Sequence, residues 1–155
     1  MPLEKVRSFL QERGYKGDIH HTDGTIFTVE DASKSVGAPP EEILKSLVFL
    51  VDGEPTLILM SGVNKVDRKK IASATGKAKS RVKMASPDYV FEAFGFKVGG
   101  VPPVGYGSDL PALIDRDLFS FEKVWAAAGT DQDFFSIEPE VLQEYTGGTV
   151  VDLKD

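Results

Sequence analysis

The sequence predicts one α/β domain of the mixed α+β kind, a mixed β-sheet with helices packed on it. Three observations predict it. Short β-rich runs interleave with short amphipathic helical stretches along the whole chain. The connections between them are short, and one of them, Asp52-Gly53, is a hairpin signal because both residues tolerate positive φ. A chain of 155 residues, 41% hydrophobic and 27% charged, has the size and composition of one ordinary domain with a sizeable core. No linker, repeat or low-complexity stretch divides it, so residues 1–155 are read as one domain.

Each element has its own signal. Leu3, Val6, Phe9 and Leu10 share one face of a helix over 3–13, which Gly14 stops. Ile19 to His21 reads as a short strand. Thr28 followed three residues later by Asp31 is a capping-type start for a helix to Val36, ended by Gly37. Pro39-Pro40 opens a short helix with Glu41 and Glu42 in its first turn, where acids suit the dipole. Ser46 to Val51 and Thr56 to Met60 form the hairpin strands. Asp67 caps a helix to Thr75, with Gly76 behind it. Arg81 to Met84 is a strand. Ser86-Pro87 starts a helix that ends at Gly95. Ala112 to Asp115, Lys123 to Ala127 and Phe134 to Ile137 are short strands. Pro139 to Tyr145 is a helix, Gly147-Gly148 follows, and Thr149 to Leu153 is the last strand.

Composition excludes several chemistries. With no Cys there is no disulfide framework and no cysteine nucleophile, which fits a reducing cytoplasm. The N-terminus lacks the apolar core of a signal peptide, and no apolar run approaches the roughly 20 residues that span a bilayer. A cytoplasmic location without a membrane partner is therefore expected. No phosphate-binding P-loop and no Gly-x-Ser-x-Gly elbow is present. The only histidines, His20 and His21, are adjacent and would point to opposite faces of a strand, so they do not jointly hold one metal ion. The acid pairs Asp115/Asp117 and Asp131/Asp133 lack further ligands, and no metal or cofactor is expected.

Three features remain as candidates. The loop Gly99-Gly100-Val101-Pro102-Pro103-Val104-Gly105 combines permissive glycines with two prolines that fix φ and delete two donors. It is either a rigid structural turn or a preorganised set of N–H donors for a carbonyl or phosphate oxygen. Lys45 stands at the entrance of the apolar strand Ser46–Val51, as a solvated edge residue or as a cation beside that loop. Residues 65–83 hold eight bases against the single acid Asp67, in a chain of net charge −6. Such a segment either keeps a face soluble or steers a polyanion; Lys69, Lys70, Lys79 and Arg81 are its candidate nucleic-acid contacts.

Several of these residues resemble the YbaK/EbsC family. Ile43-Leu44-Lys45-Ser46-Leu47-Val48-Phe49 is similar to its Lys-Thr/Ser-Leu strand, and Gly99 to Pro103 resembles its Gly-x-x-x-Pro loop. Val124-Trp125-Ala126-Ala127-Ala128-Gly129-Thr130 resembles its late strand and small-residue turn. The order and spacing match from the first helix to Thr149–Leu153. The resemblance implies a partly closed barrel with surrounding helices. It also implies an aminoacyl-tRNA deacylase related to the editing domain of bacterial prolyl-tRNA synthetases, acting on a small amino acid such as Cys or Ala.

The implied mechanism is metal-free and substrate-assisted: water attacks the ester carbonyl with help from the terminal ribose hydroxyl. Lys45 would match the lysine that contacts the terminal adenosine, and Gly99, Gly100 and Val101 the element that holds the developing oxyanion. Ser46, Pro102, Pro103, Val104, Gly105, Gly129, Thr130, Asp131 and His21 would line the substrate site. His20 and Thr22 are the other candidates for the family's residue near the first strand, and Ser136 stands where some members carry an aspartate. The implied partners are the aminoacylated tRNA end and a synthetase. The alternatives are a tRNA-binding module without turnover and a small-molecule protein that has drifted from tRNA.

Overall fold

The computed structural model describes residues 2–24, 26 and 28–155. The chain runs α1 (Pro2–Glu12), β1 (His20–His21), α2 (Val29–Val36), β2 (Leu44–Val51), β3 (Glu54–Ser61), α3 (Arg68–Thr75) and β4 (Val82–Met84). It continues as α4 (Pro87–Phe94), β5 (Ala112–Asp115), β6 (Val124–Ala127), β7 (Asp133–Ile137), α5 (Pro139–Thr146) and β8 (Thr149–Val151). Short 3-10 segments fill Pro40–Glu42, Lys79–Arg81 and Arg116–Ser120; only the first has a counterpart in the sequence pattern, and Arg81, expected in the following strand, belongs to the second.

Local chemistry sets the ends of these elements. The Thr28 hydroxyl accepts the Asp31 N–H, Asp67 accepts the Lys69 N–H, and the Ser86 hydroxyl accepts the Tyr89 N–H. Gly37, Gly76, Gly95 and Gly147 close four helices in the left-handed conformation. Asp52 and Gly53, at φ 52° and 83°, make the tight turn between β2 and β3.

The strands form two sheets. One has the order β4-β2-β3-β5-β8, with β3, β5 and β8 parallel; the other is β1-β7-β6 and antiparallel. They do not close into a barrel: among the described residues a single parallel bridge, Ile43 to Trp125, joins them. Alternation along β2 divides the core. Leu44 and Val48 face a cluster with Leu59, Phe96, Phe135 and Leu142. Leu47, Phe49 and Val51 face a second cluster with Ile58, Met60 and Ile71, which α3 covers. Ile58, Leu59 and Met60 are fully buried, and each contributes about 1.5–3 kcal/mol of transfer free energy. β8 stops at Val151 because Leu153 turns into the core and its N–H is taken by Asp115.

Candidate functional site

The site begins with an edge left bare. The Gly62 N–H donates to the Ile43 carbonyl on the β3 side, and the Ala85 N–H donates to the Val48 carbonyl on the β4 side. In an antiparallel ladder these directions alternate, so the backbone groups of Ser46 point away from β3. β4 covers β2 only at Phe49–Val51, and Trp125 bridges it only at Ile43. Between those points the edge borders a cleft of about 460 Å³ at the junction of the two sheets. Ile43 to Val48 line one side. Val29 and Ala32 of α2, Ala127 and Phe134, Met84 and Val90, and Val98, Gly99 and Val101 line the rest. The walls are mostly apolar, and no histidine, cysteine or carboxylate stands among them.

Lys45 is the cation of this cleft. Its ammonium donates to the Asn64 carbonyl, leaving two further N–H donors. Burial, and secondarily the Lys65 ammonium, hold its pKa below the usual lysine value. Ser46 lines the same cleft, and its hydroxyl is buried without a hydrogen-bond partner among the described residues.

The glycine- and proline-rich loop is divided in two. Lys97 to Gly100 is a turn in which the Gly100 N–H donates to the Lys97 carbonyl at 2.9 Å, with Gly99 at φ +88°. Of the three expected donors, Gly100 is therefore spent on the turn. Gly99 and Val101 line the cleft, and their N–H groups have no backbone acceptor among the described residues. Gly100 serves close approach: a Cβ there would lie 2.8 Å from Thr130 Cα and 2.9 Å from the Gly129 carbonyl oxygen. Gly129, at φ +97°, in turn packs against the Pro2 carbonyl. Gly129, Thr130 and Asp131 thus form a layer behind the cleft loop rather than part of its lining.

Pro102, Pro103, Val104 and Gly105 face the other way. All four are buried, and Pro103 to Gly105 border a separate cavity of about 260 Å³ with Phe9, Arg13 and Tyr145. Pro102 accepts the Tyr106 hydroxyl at 2.7 Å, and burial pushes the Tyr106 pKa upward. A Cβ on Gly105 would stand 3.2 Å from Val6 of α1. This half of the loop fastens α1 to the body.

His21 lies outside the cleft lining. Its Nδ1 is 2.8 Å from Oδ1 of Asp133, a residue only 5% exposed, whose Oδ2 accepts the Thr130 hydroxyl at 2.5 Å. Thr22 is buried on the Gln132 carbonyl. His20, opposite Phe134, stacks edge-on against Trp125. Ser136 accepts the Tyr15 hydroxyl at its backbone carbonyl. Sequence reasoning missed the α2 wall, Met84 and Val98. The one available signal was Val98 itself, an apolar residue beside two glycines that proves 72% exposed. It also missed Asp133 as an anchor, because its partners arrive from β1 and the 129–132 turn.

The basic segment is only partly free. Lys70 pairs with Asp152 at 2.8 Å, and Arg81 and Lys77 approach Asp52 at 3.9 and 3.6 Å. Lys69 and Lys79 are exposed, with no carboxylate within 4.0 Å among the described residues.

An apolar cleft lined by one lysine and by two residues whose N–H groups have no backbone acceptor among the described residues suits a ligand with an uncharged side chain and a polar, charge-developing centre. The comparisons give this class a family. Residues 23–145 match the model of the aminoacyl-tRNA editing domain, and the chain belongs to that family. It is 31% identical over 147 residues to the uncharacterized protein YwhH of Bacillus subtilis (strain 168), covering 94% of this chain and 92% of that one. It is 35% identical over 96 residues to the proline--tRNA ligase of Limosilactobacillus fermentum, covering 59% of this chain but 16% of the ligase. A crystal structure described as that of a candidate trans-editing enzyme for prolyl tRNA synthetase superposes with a TM-score of 0.91 at 37% identity, covering 99% of this chain and 97% of that one. No described helix is long and apolar enough to cross a membrane.

Proposed function

We propose that the protein is a trans-acting deacylase that hydrolyses the ester of a mischarged tRNA. The observation that carries this reading is the meeting of Lys45, the Ser46 edge and the Gly99 and Val101 backbone around one cleft whose described lining holds no histidine, cysteine or carboxylate. The aminoacyl group enters the cleft, whose apolar walls accept an uncharged side chain such as that of Ala or Cys. Water attacks the ester carbonyl, aided by the neighbouring ribose hydroxyl of the tRNA. The carbonyl π electrons move onto oxygen, and Gly99 and Val101 donate to the developing oxyanion while Lys45 supplies positive charge. Collapse expels the ribose 3′ oxygen, which takes up a proton, and releases the free amino acid. Orientation and oxyanion stabilisation are backbone tasks, and losing one such donor typically costs about 10²–10³ in rate.

Gly100, Gly129, Thr130 and Asp131 support this loop from behind. Lys69 and Lys79 are the cations available to tRNA phosphates; Lys70 and Arg81 share their charge with Asp152 and Asp52. The likeness to proline--tRNA ligases supports tRNA-Pro as the substrate tRNA and the synthetase as a partner.

The test is hydrolysis of tRNAs labelled at the 3′ end and charged with Cys, Ala, Ser, Thr or Pro, by wild type and Lys45→Ala side by side. Wild type should clear one or two of them and Lys45→Ala none. An undiminished rate in Lys45→Ala would remove that residue from the mechanism. Retardation of tRNA without hydrolysis by wild type would make the protein a binding module.

A further inference from the structure

Lysine is a long, flexible stem, and a cation that must meet a developing charge needs to be held close to its productive place. In this protein the holder is a backbone atom. The Lys45 ammonium rests on the Asn64 carbonyl, so the position of the loop after β3 sets the position of the charge. That loop is fixed at its near end by the Gly62 N–H, which donates to the Ile43 carbonyl at 2.6 Å. Its far end is strapped by the last residues of the chain. Val66 and Lys154 form an antiparallel bridge, the Asp67 N–H donates to the Leu153 carbonyl at 2.8 Å, and the Asp155 N–H donates to the Lys65 carbonyl at 2.9 Å. Leu153 is itself buried and anchored by its N–H on Asp115 at 2.9 Å.

One side chain joins the loop to the strap directly. Asp117, in the 3-10 turn after β5, accepts the Asn64 side-chain amide at 3.2 Å and the Lys154 ammonium at 2.9 Å, both on Oδ2. Neither Asp117, Asn64 nor Lys154 lines the cleft. Whatever they do for the reaction passes through the Asn64 carbonyl.

We infer that Asp117 is a positioning residue for Lys45, acting by clamping the Asn64–Lys65 loop against the C-terminal strap. The inference rests on the reading of Lys45 given above, and it extends a catalytic consequence to Lys154, which lies beyond the 23–145 family match. Misplacing a catalytic group by about 1 Å costs up to about 10²-fold. A loosened clamp should therefore lower turnover without weakening substrate binding.

The experiment compares Asp117→Ala, Asp117→Asn and Lys154→Met with wild type and Lys45→Ala, reading kcat, KM and the melting temperature of each intact protein. Asp117→Ala should lower kcat about 10-fold and leave KM within about twofold. Asp117→Asn keeps an oxygen for the Asn64 amide and should restore most of kcat. Lys154→Met removes only the strap side of the clamp and should lower kcat less; it also decides the question if Asp117→Ala fails to fold. A wild-type kcat in folded Asp117→Ala overturns the inference. So does a loss that Asp117→Asn does not relieve, or one that only follows the folded fraction. If Lys45→Ala retains full activity, the reading of the site fails instead, whatever the Asp117 variants show.

Discussion

Lys45 stands where the fold partly removes its side chain from water. Burial, then Lys65, lowers its pKa, so the folded state disfavours the ammonium. The sign follows: that cost is present below the folded pKa and is relieved as pH rises from there to the ordinary 10.5. At neutral pH, Lys45→Met should leave the melting temperature unchanged or raise it, while deacylation falls at least about 100-fold. A joint loss of both would make Lys45 a structural prop. Ser46 offers a related case. A buried hydroxyl without a partner carries an uncompensated desolvation cost of about 1–3 kcal/mol, so Ser46→Ala should be neutral to stabilising in denaturant unfolding. If the hydroxyl holds the substrate, the same variant raises KM. At Gly100 there is no room for a methyl group against the Gly129-Thr130 backbone, so Gly100→Ala should displace the turn and depress kcat. A wild-type rate would show that the turn's placement does not matter.

At the scale of elements, the legible features were those that sequence neighbours decide. The caps at Thr28, Asp67 and Ser86 and the Asp52-Gly53 turn depend on residues within three or four positions. The division of the 99–105 loop was not legible. It depends on Thr130 meeting Gly100 and on α1 meeting Gly105, contacts between distant segments. The same holds for the basic segment, where Asp52 and Asp152 arrive from the β2–β3 turn and the C-terminal end. What remains of its charge is testable through salt. Each phosphate contact adds about −0.7 to −0.9 to the slope of log affinity against log salt. Lys69→Gln combined with Lys79→Gln should flatten the slope for tRNA by about one to two; Lys70→Gln should flatten it less. Equal effects would place Lys70 on the tRNA despite its pairing.

Across the whole molecule, the cleft exists because two sheets meet at one bridge and stay open beside it. Nothing local in the sequence announces that junction, although positions that border it, Lys45, Ser46, Gly99 and Val101, stood out as residues. The far side of the fold carries a cost of its own. Asp115 is fully buried, with one oxygen on the Leu153 N–H and the other without a partner among the described residues. Burial first, and the charges of Asp117 and Asp152 with it, raise its pKa above 3.8. Its ionisation penalty is therefore absent below about pH 3.8, grows as pH rises toward the folded pKa, and is complete above it. Asp115→Asn should melt above wild type near neutral pH, with the gap closing in acid; a gap independent of pH would point to packing instead. The central claim concerns where the aminoacyl end binds. It is tested most directly by amide NMR shifts on adding a non-hydrolysable 3′-aminoacylamino-adenosine. Shifts at Ser46, Gly99, Val101 and Ala127 are the predicted result. Shifts confined to Gly105–Leu110 and Tyr145, around the second cavity, would contradict it.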